Sequence, residues 1–243
     1  VLKNYLLILY HLQEPDINAA KRLTEKLINE QYSILPNICL SAVQKIALMY
    51  LNTGQLKASL DISQKILSQI QVTQEIILGY VNINITLSAA LIYDLQLSKA
   101  LELIESLQPY VAQIDSFHHR IALLINKATA EFQLGKRHLC LHTLLLTREL
   151  LEEEEHLTGQ AYCSFWEARL AIETGDVSAG LVKLRESIVL AQNVNDEHLL
   201  AEAWTLLLNA ATHQANPVLA NEAIENYEFL TLEHRHDHWP AAF

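Results

Sequence analysis

The stretch Ala47-Leu48-Met49-Tyr50-Leu51-Asn52-Thr53-Gly54-Gln55-Leu56-Lys57-Ala58-Ser59-Leu60 holds the organisation of the whole chain. An apolar helical run reaches a glycine, polar residues and a leucine follow, and a small residue opens a second apolar run. The phrase recurs as Ala128 to Phe132, Gly135-Lys136-Arg137, Cys140-Leu141, and again as Ala168 to Ile172, Gly175-Asp176-Val177, Gly180-Leu181. Weaker copies turn at Pro15 before Ile17 and Ala20, at Leu95 before Leu97 and Ala100, and at Ala215 before Pro217 and Val218. Positions 15, 54, 95, 135, 175 and 215 are separated by 39, 41, 40, 40 and 40 residues, which is the mark of an internal repeat.

Each unit reads as two antiparallel helices. Gly54, Gly135 and Gly175 stand where the first helix must stop, because glycine accepts the left-handed conformation that ends a helix. Apolar residues at helical spacing, such as Leu97, Leu101, Ile104 and Leu107, continue the seam in the second helix. Helices are expected over 1–13, 16–32, 37–53, 55–71, 73–94, 96–113, 115–134, 137–154, 157–174, 177–193, 196–214 and 217–235. Composition agrees: 6 Gly and 5 Pro in 243 residues make 11, where average usage gives roughly 29. A fold built on strands or loops needs many more turn residues than that. Between Val81 and Leu87 the apolar residues alternate as in a strand, but no partner strand exists for it, so the period of the repeat decides for helix.

The chain is 51% hydrophobic and 19% charged, enough for a large core. With 17 Lys and Arg against 28 Asp and Glu, its net charge of −11 disfavours direct binding to a phosphate backbone. Apolar runs such as Leu6 to Tyr10 fall far short of the ~20 residues a membrane span requires. Cys39, Cys140 and Cys163 lack C-x-x-C spacing and fit small buried hydrophobes in a reducing cytoplasm. The first residue is Val1 and the last residues, Trp239-Pro240-Ala241-Ala242-Phe243, include aromatics that want a surface, so a single repeat domain over 1–243 excised from a longer chain is expected.

The small residue Ala47, the aromatic Tyr50, the glycine before the turn and the small residue opening the second helix together resemble the tetratricopeptide repeat. The copies are degenerate: the aromatic of Tyr50 is Glu131 and Ala171 in the fourth and fifth units, and Pro109 alone stands near a repeat's closing proline. The unit of 40 exceeds the standard 34. Lengthened units of this texture are similar to those in sensor segments of large bacterial signal-transduction ATPases, including LuxR-type activators related to the maltose regulator. The resemblance implies an all-α, right-handed superhelix of about six antiparallel helix pairs, an α-solenoid. It also implies a concave face lined by the first helices, at Gln44, Leu48, Asn52, Asn82, Ala89, Tyr93, Ile125, Thr129, Gln133, Tyr162, Phe165, Arg169, Glu173, Thr205, Asn209 and His213.

That lining is amide and aromatic with Arg169 as its lone cation, unlike the basic grooves that clamp acidic chaperone tails. A protein or peptide partner, or a small neutral metabolite stacking on Tyr93, Tyr162 and Phe165, suits it better. Catalytic signatures do not converge. His138 and His142 share helical spacing, yet Leu139 stands where H-E-x-x-H needs glutamate, and a solvated helix face accounts for them. The tail His234-Arg235-His236-Asp237-His238 would align its imidazoles only if extended, and His118-His119 belongs to a helix start. Glu152 to Glu155 marks a solvated helix end. No phosphate-binding or nucleophile motif is present. The expectation is a non-enzymatic scaffold without cofactor or metal, the sensor or docking segment of a cytoplasmic regulator of transcription or signalling. A structural subunit of a multiprotein assembly is the alternative.

Overall fold

The structure, a computed structural model, describes residues 5–8, 17–31 and 36–234. Residues 5–8 are helical, and the helices that follow are α1 (Ile17–Gln31), α2 (Pro36–Asn52), α3 (Leu56–Leu67), α4 (Ile77–Tyr93), α5 (Leu97–Ile114), α6 (Phe117–Gln133), α7 (Arg137–Glu153), α8 (Leu157–Glu173), α9 (Val177–Asn193), α10 (Glu197–His213) and α11 (Pro217–His234). The repeat register therefore holds from α2 onward. Most of the helix expected over 1–13, the marker Pro15 and the histidine tail from residue 235 lie outside the described residues.

The turn markers share one backbone conformation. Gly54, Leu95, Gly135, Gly175 and Ala215 have φ of 71°, 57°, 75°, 93° and 51°. At each, the next amide reaches back five residues: Gln55 N to Tyr50 O at 2.7 Å, Gln96 N to Leu91 O at 2.8 Å, and Lys136, Asp176 and Asn216 N to Glu131, Ala171 and Ala211 O at 2.9 Å. This six-to-one bond caps the carbonyls that a helix end leaves without partners. The 40-residue period is thus a period of left-handed helix stops, and glycine is its usual but not its required occupant. The connections between pairs differ: Asp115 and Asn195 are left-handed at φ 43° and 53°, whereas Glu154 is extended.

A second 40-residue series closes each pair. Ser59, Ala100, Cys140 and Gly180 are all buried near the start of a second helix. A Cβ built on Gly180 would lie 2.5 Å from Ile172 Cγ1 and 2.9 Å from the carbonyl oxygen of Ala168, so at this pair even a methyl group is too large.

Two departures from the expected helices have plain causes. Helix α3 stops at Leu67, not near 71, and α4 begins at Ile77, because residues 71–75 are exposed and offer no apolar face to bury. The strand-like alternation from Val81 to Leu87 is helical, since α4 packs against α2, α3 and α5. Enclosed this way it buries polar Asn84, Thr86 and Ser88 as well as Val81, Ile83 and Leu87, which erases the helical period of its apolar residues.

The chain divides into two compact units, Val1–His119 and Arg120–Phe243. In the first, Cys39, Ala42, Ile46 and Tyr50 of α2 pack with Ile8 and Ala20, while Leu40 and Val43 meet Ile66, Ile76 and Ile83. In the second, α8 packs against α7, α9 and α10, and α10 against α11. A charged clamp ties α7 and α9 to α8. Arg148 Nε and Nη2 donate to the two carboxylate oxygens of Glu167 at 2.8 and 2.9 Å, Nη2 also donates to Ser164 Oγ at 2.8 Å, and Lys183 Nζ lies 3.3 Å from the same carboxylate. Burial pushes the Glu167 carboxyl up, but Arg148 and Lys183 outweigh it and hold it below its ordinary value.

Candidate functional site

The densest chemistry on the first helices of the second unit is a stack of cations on rings. Phe132 ends α6 and Trp166 sits mid-α8, their centroids 5.0 Å apart. Arg137, the first residue of α7, places its guanidinium carbon 3.8 Å from the Phe132 centroid, and its Nη1 donates to the Phe132 carbonyl. From α8, Arg169 lies 4.9 Å from the Phe132 centroid and 5.4 Å from that of Trp166. Cations over aromatic faces are attracted by the ring quadrupole, most strongly where water is thinned out. Arg169 is half-buried, whereas the side chain of Arg137 is 39% exposed and pairs with Glu173 at 2.7 Å.

The structure corrects the expected lining at several positions. Phe165 is 1% exposed and packs edge-on against Trp166 at 5.1 Å, so it belongs to the core and presents no face to a ligand. Arg169 is not the lone cation, since Arg137 shares the Phe132 ring. Glu173 is held by Arg137 instead of standing ready to orient a ligand. Ile125 is buried, and the hydroxyls of Thr129 and Thr205 donate to Ile125 and Ala201 carbonyls of their own helices at 2.8 Å. Tyr162 is half-buried, and Gln133, Asn209 and His213 are exposed.

The remaining expected positions belong to the first unit. Gln44 Nε2 donates to Thr86 Oγ1 at 3.5 Å. Asn82 Oδ1 accepts from His119 Nε2 at 2.8 Å, and His119 Nδ1 meets Ser116 Oγ at 2.6 Å, so Asn82 is engaged with a histidine that the sequence assigned only to a helix start. Burial, aided by His118, lowers the pKa of that imidazole. Leu48 and Asn52 are exposed, and Ala89 and Tyr93 half-buried.

Phe132, Arg137 and Trp166 were not expected in the site. The signal that could have found them is the chain separation of 36 residues between Arg137 and Glu173, which in a 40-residue repeat brings the start of one second helix to the end of the next first helix. Two further groups complete the charge picture. Glu202 on α10, also half-buried, has its carboxyl raised by burial against the opposing pull of His198 and Arg169. The indole Nε1 of Trp166 is buried with no acceptor among the described residues.

Nothing in the site resembles a tuned nucleophile. Burial pushes Cys140 and Cys163 up to about 12 and Cys39 to about 11. Among the described residues no group of three or more His, Cys, Asp or Glu could hold a metal ion, and no helix is long and apolar enough to cross a membrane. His138 and His142 are exposed on α7.

Paired helices with a left-handed stop every 40 residues make this a tetratricopeptide-like helical repeat protein, and solved structures agree. The apo form of RapI superimposes with a TM-score of 0.68 at 14% identity, covering 96% of this chain and 98% of that one. BtubC from P. vanneervenii gives 0.65 at 14% identity, covering 95% and 94%. The Rap conjugation gene regulator of plasmid pLS20, solved with the Phr* peptide, gives 0.65 at 13% identity, covering 98% and 76%. No protein-family model matches the sequence, and no curated protein does.

Proposed function

We propose that this chain is a non-enzymatic scaffold that binds a short peptide or extended protein segment along the first helices of its second unit. In this reading it serves as the sensor or docking segment of a larger cytoplasmic regulator of transcription or signalling. The observation that carries the proposal is Arg169, half-buried over the buried rings of Phe132 and Trp166, because an arginine beside buried aromatics is what binding hot spots most often contain. A fold-level neighbour holds a peptide, which supports the ligand class by analogy. A neutral metabolite is favoured less, since Phe165, one of the three rings it would stack on, is buried. The test is affinity selection of a synthetic library of short peptides on the intact protein, followed by calorimetry of the selected sequences. Specific micromolar binders support the scaffold reading; a library from which nothing is retained defeats it.

A further inference from the structure

The far side of α7 is apolar where the same helix of neighbouring units is polar. Helix α7 buries Cys140, Thr143, Leu144, Thr147 and Leu151, and away from them Leu139, Leu141, Leu145 and Leu146 are between 39% and 56% exposed. The 40-residue period supplies the comparison. Leu145 and Leu146 correspond to Glu105 and Ser106 of α5 and to Arg185 and Glu186 of α9, all exposed. Leu139 corresponds to Lys99 and Ala179, exposed as well. Packing within the fold therefore does not call for these leucines, since the equivalent helices do without them. Exposed apolar side chains gathered on one face mark a surface that another molecule covers.

Charge says which molecule. Residues 120–243 hold 9 Lys and Arg against 18 Asp and Glu, so −9 of the chain's −11 lies in the second unit. On α7 the leucines run into Glu149, Glu152 and Glu153, with Glu154 and Glu155 directly after. All five are exposed, and none of their side chains is paired with a described residue. They crowd the negative end of the helix macrodipole, where a cation is favoured and a carboxylate is not. Arg148, the base nearest to them on the helix, is held by Glu167. Glu152 lies two turns beyond Leu145, about 10 Å along the axis.

The matching occupant offers apolar side chains along a few turns and positive charge beyond one end of them. A second copy of this chain brings the same surplus of negative charge, and a phosphate backbone or an anionic membrane is repelled too. A bare polycation leaves the leucines uncovered. We propose that this face of α7 docks an amphipathic helix of a partner protein, its apolar side on Leu141, Leu145 and Leu146 and its Lys or Arg side chains on Glu149, Glu152 and Glu153. A helix laid along α7 sets its side chains into the spaces between these leucines, as packed helices do. This surface lies on a second helix and goes beyond the peptide site on the first helices.

The test is selection on the intact protein from a displayed library of helical peptides randomised along one face and at both ends, with counter-selection on the double variant Leu145→Arg, Leu146→Glu. That variant takes the pair α9 already carries at these places, so net charge is kept. Should it fail to fold, Leu141→Ser takes its place. Survivors are expected to be apolar on one face with Lys or Arg beyond one end of it. In calorimetry they are expected to bind the wild type at least about tenfold more tightly than the variant. Glu152→Gln combined with Glu153→Gln is expected to weaken them about threefold and to flatten their dependence on salt. Survivors without basic residues, affinities that ignore the glutamine changes, or no survivors at all overturn the proposal. Peptides held by the first helices bind wild type and variant alike and are removed by the counter-selection, so such a failure leaves the scaffold reading standing.

Discussion

The hydroxyl of Ser59 donates to the carbonyl of Ala47 at 2.8 Å, joining the second helix of its pair to the first. Gly180 and Ala168 occupy the same two places three units later, where the room has shrunk to a bare Cα. This contact decides how tightly each pair closes, and a small residue fills it in each of these units: Ser59, Ala100, Cys140 and Gly180.

Enlarging that contact destabilises. Gly180→Ala would press a methyl group against backbone and Ile172, and Ala100→Leu would force a larger side chain into a fully buried site. Each is expected to cost about 1–3 kcal/mol and to lower the melting temperature. Unchanged melting curves would show that the pairs are not closed in this register.

At the helix stops the sign reverses with the residue. Leu95 is 74% exposed and sits at φ 57°, so its side chain contributes little packing while its Cβ strains the turn. Leu95→Gly is expected to stabilise by about 0.5–1 kcal/mol. Gly175 at φ 93° has no neighbour within 4 Å of the place a Cβ would take, so Gly175→Ala isolates the backbone term and is expected to destabilise by about 1 kcal/mol. Urea melts of the two variants should move in opposite directions.

Phe165→Ala separates core from site. Removing a ring that is 1% exposed leaves a cavity worth about 3–5 kcal/mol. Loss of global stability is the expected outcome. A variant that melts like the wild type but loses peptide binding would return Phe165 to the ligand face.

Acid should weaken the first unit through His119. Its folded-state pKa lies below the ordinary 6.5, so the folded form refuses a proton that the unfolded form accepts. Stability is therefore fully present above that ordinary value and falls as pH drops below it, until the folded form is protonated too. His119→Gln should flatten this decline in denaturant midpoints measured between pH 7 and 5. An equally steep decline in the variant would assign the effect to another group.

The repeat was legible because its marker is a backbone requirement. Five successive stops need a left-handed residue, and three of them are glycine, which a reader can see. Leu95 and Ala215 show only as weaker copies of the repeated phrase, with Leu97 and Ala100 or Pro217 and Val218 following the turn. The site was less legible for a related reason. Which face a residue presents follows from a register accurate to a fraction of a turn, and Phe165 and Trp166 are adjacent, so placing Phe165 inward misassigned the ring that carries Arg169. Arg137 opens a second helix, where the resemblance places no groove residue, and only the folded structure shows its side chain reaching Phe132 and Glu173.

The three buried cysteines give the molecule a built-in clock. With thiols raised to about 11 or 12, none reacts at a useful rate while its surroundings stay closed, so alkylation must wait for an opening event. Cys39 reports openings of the first unit, and Cys140 with Cys163 those of the second. Mass spectrometry of a timed labelling reaction on the unaltered protein would read the lifetime of each unit separately, and a peptide that slows labelling at Cys140 and Cys163 while leaving Cys39 untouched would reveal where it had bound.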